Sequence, residues 1–381
     1  MVNILICDPN FAPVASPTRT PLLIKLKAWQ KKGIKVTVIC SSEAKIFYQK
    51  NIKGVEYITF PFVWKSKIRL TAPLEYIRAN LLVFPLLFKV KGRFTIIYSF
   101  SSTLDIIFFP FMLRLLDRKI HWFSIVDNIV LEPGKRPGNY FLNTIPYVAF
   151  LLCNILLKKT DGIFVVTNLL KIYYQKKGIT VVKTGTGNGL DIDSFKGRIP
   201  IHTPKFTALF AARLNPSKGI YDLIEITKIV VKENKKYTLG MVGVGDEKTK
   251  KNLRDLIKKN NLSQNIFLLG FKNTKERWDL YRNSKFFLFP SYAEGCPQVV
   301  LEAFAANKLV IAYDLPEYRD VFKTYIKSGE LLIADKGNTS QMANIIINIE
   351  KNIPKFHNNL KDYSWDKIVH NEFSTFMKVL E

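Results

Sequence analysis

Two carboxylates eight positions apart make the segment 290–303 the strongest candidate for chemistry in this sequence. Glu294 follows an apolar run typical of a strand, and Glu302 lies about a turn and a half into a helix for which Pro297 is a suitable first residue. The two could accept hydrogen bonds from separate hydroxyl-bearing parts of one extended ligand, while N–H groups near 298–300 face its phosphates. In the alternative, Glu294 only complements the helix dipole and Glu302 is solvated. The apolar neighbours of Glu302 favour ligand binding, because a buried carboxylate without a partner is costly.

An arginine and a lysine five positions apart follow the predicted strand Thr207–Ala212. Arg213 carries a planar fork that suits a diphosphate, and Lys218 adds a point charge where the next predicted helix, Ser217–Glu233, would offer free N–H groups. The sequence equally allows Lys218 to be a solvated surface lysine. Together the two cations predict a phosphate site at the carboxyl end of this strand.

Gly243 and Gly245 follow the next predicted strand and would permit a close backbone approach to a ligand. A dinucleotide-binding fingerprint needs a third glycine at position 248, which is Lys248 here, so the signal for NAD is weak. Taken alone, the two glycines are more often just a tight turn.

The elements that position these residues alternate between short β-branched runs and helix-length amphipathic segments, which predicts an α/β fold. The predicted strands are Asn3–Cys7, Lys35–Cys40, Glu56–Phe60, Thr95–Ser99, His121–Val126, Gly162–Val166, Thr180–Lys183, Thr207–Ala212, Tyr237–Val242, Asn265–Gly270, Lys285–Pro290 and Leu309–Tyr313. A glycine-rich segment at 185–189 divides them into two series. We therefore predict two Rossmann-like, doubly wound domains over 1–188 and 200–360, followed by a tail helix within 365–381.

The charge of the chain is strongly basic, with 57 Lys and Arg against 31 Asp and Glu, and a net charge of +26. Residues 1–200 hold 29 basic and 11 acidic side chains, which is +18 of that total. Such a field favours nucleic acids, anionic lipids or phosphorylated small molecules. The basic residues are spread along the chain without an RRM, helix-turn-helix or zinc-finger signature, which argues against nucleic acid.

The four cysteines are scattered without a C-x-x-C pair, and no secretory signal is recognisable, so we expect reduced, buried thiols in a cytosolic protein. The four histidines are isolated, and no metal constellation is visible.

The run Pro137–Leu157 is the best candidate for a membrane span, but polar residues and a proline interrupt it, which predicts a buried or interfacial helix.

Several motifs in the second half occur together in the order of a known family. They are Arg213…Lys218-Gly219, Gly243-x-Gly245, Leu269-Gly270-Phe271, Pro290-Ser291…Glu294-Gly295-x-Pro297 and Leu301-Glu302-Ala303. Over about 184–322 the sequence closely resembles the C-terminal domain of the family 4 GT-B glycosyltransferases, a retaining group whose two glutamates are separated by seven residues. The resemblance is weaker over 1–183. It implies a GT-B fold, in which two Rossmann-like domains face an interdomain cleft.

The resemblance also implies roles for the matching residues. Arg213 and Lys218 would hold the donor diphosphate and stabilise the leaving nucleotide, and Glu294 would bind hydroxyls of the donor sugar, so these three are the expected catalytic residues. Glu302 would bind the nucleotide ribose. The other residues implied on the donor side are Gly243, Gly245, Gly295, Cys296, Pro297, Gln298, Val299 and Asn188. Asp127 is expected on the acceptor side, and the tail helix is expected to pack back on the first domain.

Two positions depart from the family pattern. Ser16-Pro17 stands where a glycine pair is common, and Val126-Asp127 stands where a His-Asp pair is common. The expected function is transfer of a sugar from a nucleotide-diphosphate sugar to a glycan or lipid-linked acceptor, with retention and without a metal cofactor, in the synthesis of cell-surface polysaccharide or glycoconjugate. The missing imidazole keeps open an alternative, a nucleotide-sugar-binding protein without catalytic activity.

Basic residues are mixed with apolar runs in the first half, as at 64–69, 81–93, 108–119 and 149–159. This mixture suits shallow attachment to an anionic bilayer, although burial of each helix in a core is the alternative. We therefore expect a cytoplasmic protein that lies peripherally on the inner face of the cell membrane. Its expected partners are a nucleotide sugar, a glycan or lipid-linked acceptor and an anionic membrane surface, with no nucleic acid.

Overall fold

The computed structural model describes residues 2–9, 19–62, 72–135, 139–184, 189–190, 205–349 and 360–381. These residues form two compact units. The first holds the described residues up to Gly189 together with Trp365–Glu381, which include the last helix, and the second holds the described residues from Leu190 to Ser364.

The first unit is built on a seven-stranded parallel sheet with the order β3-β2-β1-β4-β5-β6-β7. Its strands are β1 Asn3–Asp8, β2 Lys35–Ser41, β3 Glu56–Phe60, β4 Ile96–Ser99, β5 His121–Val126, β6 Gly162–Val165 and β7 Val181–Thr184. Its helices before the second unit are α1 Arg19–Lys31, α2 Ser42–Asn51, α3 Ala72–Val83, α4 Leu86–Val90, α5 Leu104–Leu116, α6 Tyr140–Leu156 and α7 Asn168–Lys176. The central strands are buried along nearly their whole length, as continuous apolar runs in a parallel sheet require.

The second unit is built on a six-stranded parallel sheet with the order β10-β9-β8-β11-β12-β13. Its strands are β8 Phe206–Ala211, β9 Leu239–Val242, β10 Ile266–Gly270, β11 Ser284–Phe289, β12 Leu309–Tyr313 and β13 Leu331–Ala334. Its helices are α8 Asp222–Glu233, α9 Glu247–Lys259, α10 Thr274–Arg282, α11 Gln298–Ala305, α12 Pro316–Val321, α13 Lys323–Lys327 and α14 Thr339–Asn348. Both sheets show the strand order of a doubly wound Rossmann fold, so the predicted fold class is confirmed.

The last helix, α15 Trp365–Leu380, packs in the first unit against α1 and β7. Phe376 enters the core beside Trp29 and Phe123, with ring centroids 5.9 and 5.2 Å away. On the same helix, the carboxylate of Glu372 is buried and pairs with the ammonium of Lys25 on α1 at 2.5 Å. The end of the chain therefore belongs to the core of the first unit.

Candidate functional site

The strand order of the second sheet reverses between β8 and β11. From this point β9 and β10 are added on the side of β8, and β12 and β13 are added on the side of β11. In doubly wound sheets, ligands bind at the carboxyl ends of the strands next to such a switch point. The loops that leave β8 and β11 at this point carry Arg213, Lys218 and Glu294. The topology thus brings the three residues of the predicted catalytic set to one edge of one sheet.

The loop after β8 is shaped by a short 3₁₀ turn, Pro216–Lys218, in place of the first turn of the longer helix predicted from 217. The side chain of Asn215 caps this turn by accepting from the Ser217 N–H at 2.9 Å. Gly219 ends it with φ +69°, and a Cβ there would lie 2.0 Å from the carbonyl oxygen of Pro290. Only glycine allows the two loops to approach so closely, and the approach places Lys218 beside the loop that follows β11.

The loop after β11 presents Glu294 to that lysine. The ammonium of Lys218 forms an ion pair with the Oε1 atom of Glu294, and the hydroxyl of Ser291 donates to the same oxygen at 2.6 Å. The Tyr292 N–H donates to the Ser217 carbonyl at 2.9 Å and joins the two loops directly. Glu294 and Lys218 remain 11 and 18% exposed, so the pair is sheltered and still reachable from solvent. Such a pair can exchange its internal partners for a sugar hydroxyl and a phosphate oxygen.

Two tyrosines and an aspartate join the loop after β11 to the start of α8 and the end of β12. The hydroxyls of Tyr292 and Tyr313 both donate to the Oδ2 atom of Asp222, at 2.7 and 2.5 Å. Burial, followed by the bond to Asp222, raises the pKa of Tyr292 to about 12. Both groups therefore remain protonated donors at neutral pH, and they hold the start of α8 against the ends of β11 and β12.

Glu302 is buried on α11 and has a partner that the sequence analysis did not identify. The guanidinium of Arg277 on α10 binds both of its oxygens, with Nε donating to Oε2 at 2.8 Å and Nη2 donating to Oε1 at 2.6 Å. Burial raises the pKa of Glu302, and the charge and hydrogen bonds of Arg277 oppose that shift. The premise that this carboxylate needs a partner was correct, but the protein itself supplies one. Each oxygen keeps lone-pair capacity for a ligand hydroxyl.

The start of α11 differs in one detail from the expectation that N–H groups across 298–300 face a ligand. Pro297 precedes the helix, and its carbonyl already accepts from the Val300 N–H at 3.1 Å. Within the described part of the chain, no group accepts from the N–H of Gln298 or Val299, so these two remain available at the positive end of the helix. Gly295, Cys296 and Pro297 are buried beneath them.

The glycines after β9 have a structural explanation. A Cβ on Gly243, whose φ is +154°, would lie 1.8 Å from the carbonyl oxygen of Ala212, and one on Gly245 would lie 2.8 Å from that of Leu214. The two loops continue the sheet ladder, since the Leu214 N–H donates to the Val244 carbonyl at 2.8 Å. The close approach that requires these glycines is therefore to the neighbouring loop of the protein.

Arg213, by contrast, extends into solvent. It is exposed, and no carboxylate among the described residues forms an ion pair with it. In the same region no three metal-ligating side chains of the described chain cluster together. Arg213 can therefore offer a guanidinium group without an ion-pair partner in the described chain to an anion at this edge of the sheet.

The remaining predicted residues lie elsewhere. Asp127 follows β5 in the first unit, where burial raises its pKa and the charge of Lys25 opposes the shift. Val126, in place of the expected imidazole, is a buried strand residue. Asn188 and the Ser16-Pro17 pair lie outside the described residues.

Comparison with known proteins identifies a family and individual proteins that this chain resembles. Residues 191–365, nearly the whole second unit, match the model of the family described as glycosyl transferases group 1. An uncharacterized glycosyltransferase of Methanocaldococcus jannaschii is 35% identical over 114 residues, or 30% of this chain and 27% of the relative. The poly(ribitol-phosphate) alpha-N-acetylglucosaminyltransferase of Staphylococcus aureus is 28% identical over 141 residues, or 37% of this chain and 27% of the relative. In both cases the aligned part spans only about a quarter of the relative.

Solved structures are similar over the whole chain. Sucrose-phosphate synthase from Thermosynechococcus elongatus superimposes with a TM-score of 0.75 at 15% identity, covering 100% of this chain and 99% of the other. A variant of TarM from S. aureus, in complex with fondaparinux, alpha-GlcNAc-glycerol and UDP, gives 0.72 at 13% identity, covering 99 and 100%. With the two parallel sheets described above, these similarities show a GT-B fold.

Proposed function

We propose that this chain, whose second unit matches the glycosyl transferases group 1, is a glycosyltransferase that uses a nucleotide-diphosphate sugar. The observation that carries the proposal is at the switch point of the second sheet, where the loops that leave the carboxyl ends of β8 and β11 carry the ion pair of Lys218 with Glu294 and the exposed Arg213. The TarM variant of similar fold was solved with UDP, which supports a nucleotide donor.

In the proposed reaction the bond between the anomeric carbon and the diphosphate oxygen breaks, an acceptor hydroxyl oxygen bonds to the anomeric carbon, and the proton of that hydroxyl passes to the leaving phosphate. Negative charge develops on the departing nucleotide. Lys218 and Arg213 stabilise that charge, and hydroxyls of the donor sugar donate to Glu294. Lys218 and Glu294 already form a pair, so binding of the donor replaces one set of charge-assisted hydrogen bonds with another. Stabilisation of a developing charge by a preorganised cation lowers the barrier by several kcal/mol, roughly 10²–10³-fold in rate per group.

The finer assignments belong to the same proposal. Glu302 binds the nucleotide ribose through the lone pairs that Arg277 leaves open. We assign the chain to family 4 and propose that transfer retains the anomeric configuration, with the leaving phosphate helping to deprotonate the acceptor on the same face. The two cations take the place of a metal ion at the diphosphate, so activity is expected without one.

We further propose a glycan or lipid-linked acceptor and a role in the synthesis of cell-surface polysaccharide or glycoconjugate, with Asp127 on the acceptor side. The relative that acts on poly(ribitol-phosphate) supports a polymer of this kind. The surplus of cations in the first 200 residues supports a location on the inner, cytoplasmic face of the membrane.

Thermal unfolding in the presence of UDP-, GDP-, ADP- and TDP-sugars tests the donor site. We expect one nucleotide series to stabilise the wild-type protein, and we expect Lys218→Ala and Glu294→Ala to lose that stabilisation. Lys228→Ala serves as a control, because Lys228 makes only an exposed pair with Glu225 on α8. The proposal is wrong if no sugar nucleotide stabilises the wild type.

Turnover is then measured with the stabilising donor and a panel of glycan and lipid-linked acceptors. We expect Lys218→Ala to lower kcat by about 10²–10³-fold. Donor binding without turnover over the whole panel would support the alternative, a nucleotide-sugar-binding protein that lacks catalytic activity.

A further inference from the structure

Helix α6 is apolar on two opposite sides, and only one of them is covered. Phe150 and Cys153, with Leu157 in the turn directly after the helix, form the buried side. The other side is a stripe with 4-3-4-3 spacing, in which each side chain is between 46 and 79% exposed: Phe141, Ile145, Val148, Leu152 and Ile155. We call these five residues the α6 stripe. A helix that is apolar all round is normally buried on all sides, so this exposed stripe points to a partner.

Together with the short turn that follows it, the helix forms the segment Tyr140–Lys159, which by length and composition could cross a membrane. The position of α6 between two paired strands in the chain argues against a membrane-spanning orientation. The strands on either side of it, β5 and β6, are parallel neighbours in register from Phe123 opposite Gly162 to Val126 opposite Val165. The helix also packs along α5, which itself lies on β4 and β5. A crossing orientation would separate strands that are hydrogen-bonded to each other.

A second exposed stripe lies on the other helices that pack on α5. Along α3 and α4 the exposed apolar side chains follow 3-4-3-4 spacing: Leu74, Ile77, Leu81, Phe84 and Phe88. The single acidic residue of α3, Glu75, is paired with Arg78 at 2.5 Å. Both α3 and α6 contact α5, so the same helix is flanked by two apolar stripes.

Cations accompany the stripes. The turns that precede β4, β5 and β6 lie at the amino ends of three adjacent strands. They carry six exposed basic side chains: Lys91, Arg93, Arg118, Lys119, Lys158 and Lys159. The two aspartates of this edge have partners within the fold: Asp117 accepts from the Gly92 N–H at 2.7 Å, and Asp161 pairs with Arg114 at 3.0 Å. From 139 to 160 the sequence has no acidic residue.

We propose that α6, assisted by α3 and α4, lies in the plane of an anionic lipid leaflet. The α6 stripe enters the region between headgroups and acyl chains, and Lys158 and Lys159 at the end of the helix bind lipid phosphates. The apolar face without acidic residues suits the acyl region of a bilayer, and the flanking lysines suit its anionic headgroups. This inference deepens the proposed membrane location by naming the surface and its orientation, and it rests on the proposed function only for its purpose, access to a lipid-linked acceptor.

Vesicle flotation of the full chain tests the surface. We expect binding to vesicles of phosphatidylglycerol and phosphatidylcholine, weak binding to phosphatidylcholine alone, and a decrease with added salt. Ile145→Glu with Leu152→Glu should lower the partition coefficient at least tenfold. Ile46→Glu is the matched control, since Ile46 is 69% exposed on α2, outside both stripes. Equal binding to neutral vesicles, or no loss in the double variant, would overturn the proposal.

The orientation is tested with nitroxide labels at Phe141→Cys and Ile155→Cys, because the four native cysteines are buried. An in-plane helix places both labels at one shallow depth, whereas a crossing helix places them at different depths and refutes the inference.

Light scattering in solution tests whether a second copy of the chain covers the α6 stripe instead. If the wild type forms a dimer that the double variant dissociates, and does not bind vesicles, the stripe is a dimer interface and the proposal is wrong. Donor-induced stabilisation, measured on the same samples, should be unchanged in the double variant. If the wild type floats with vesicles but binds no sugar nucleotide, the proposed function fails and the membrane surface stands.

Discussion

Replacing Arg277 with glutamine removes the cation that compensates a buried carboxylate. Glu302 is 1% exposed, and both of its oxygens accept from the Arg277 guanidinium at 2.8 and 2.6 Å. Glutamine is too short to reproduce the fork and carries no charge, so Glu302 would lose the cation that offsets its desolvation. Loss of one partner from a buried ion pair costs about 3–5 kcal/mol, because the other charge remains in the protein interior. For a domain of this size that is a fall of about 6–20 °C in the Tm of the second unit.

The loss should depend on pH in a definite direction. Burial already raises the pKa of Glu302 in the native protein, and Arg277 opposes the shift. Without the arginine, the folded-state pKa rises further above that of the unfolded chain. Below the ordinary pKa of a glutamate both states are protonated and the penalty vanishes. As the pH rises toward the folded-state pKa, the unfolded state loses its proton first, so the variant loses stability relative to the wild type.

Calorimetric unfolding at pH 5 and pH 8 measures this dependence, and a double-mutant cycle with Glu302→Gln identifies its cause. We expect the deficit of Arg277→Gln to be larger at pH 8, and we expect Glu302→Gln to recover part of it. Arg282→Gln on the same helix is the control, because its partner Asp279 is 47% exposed, and such pairs contribute at most about 1 kcal/mol. A wild-type Tm for Arg277→Gln at pH 8, or a loss unaffected by Glu302→Gln, would refute the argument.

Two further predictions concern the stability of each unit. Gly219→Ala should cost the second unit at least about 2 kcal/mol in urea unfolding, because the new Cβ would lie 2.0 Å from the Pro290 carbonyl oxygen, whereas Gly270→Ala, at the same φ of +69° but with nothing within 4 Å, should cost about 1 kcal/mol. Lys25→Met should cost the first unit about 3–5 kcal/mol at pH 8 and less at pH 5, because it leaves the buried Glu372 without a cation, with only the Tyr98 hydroxyl still donating to it among the described contacts, and burial raises the pKa of that carboxyl. Equal costs for the two alanine variants, or a pH-independent loss for Lys25→Met, would contradict these expectations.

Much of the fold could be predicted from the sequence because parallel strands buried on both faces appear as short, continuous apolar runs. The runs around 3–7, 121–126 and 207–212 are strands within a residue or two of their predicted limits. The strand Leu331–Ala334 and the short helices Pro316–Val321 and Lys323–Lys327 were not predicted, since elements of four to six residues leave too few periodic positions to recognise. The helix predicted from 217 begins at Asp222, because Gly219 adopts a left-handed conformation that ends the preceding turn.

The partners of individual side chains were harder to predict. The apolar neighbours of Glu302 indicated that its charge needs compensation, but Arg277 lies 25 positions earlier and reaches it only because α10 and α11 both pack on β11. Helix α6 poses the same problem, since its sequence has apolar residues on both sides and only the tertiary structure decides which side is covered. In both cases the sequence shows that a charge or an apolar side needs a partner, and the packing of elements distant in sequence decides which partner it has.

The structure also separates two glutamates that look alike in the sequence. Glu294 is held by a lysine at a loop edge, and both groups retain some exposure, so each can take a new partner from a bound ligand. Glu302 is held by a bidentate arginine in the interior, where release of either group would leave a buried charge. If the proposed donor binds here, it can therefore replace the partner of Glu294 but would have to bind Glu302 with its arginine still in place. On that proposal, Lys218 and Glu294 are the pair expected to respond to the reacting sugar and phosphate, and Arg277 and Glu302 would be a fixed support for the rest of the nucleotide.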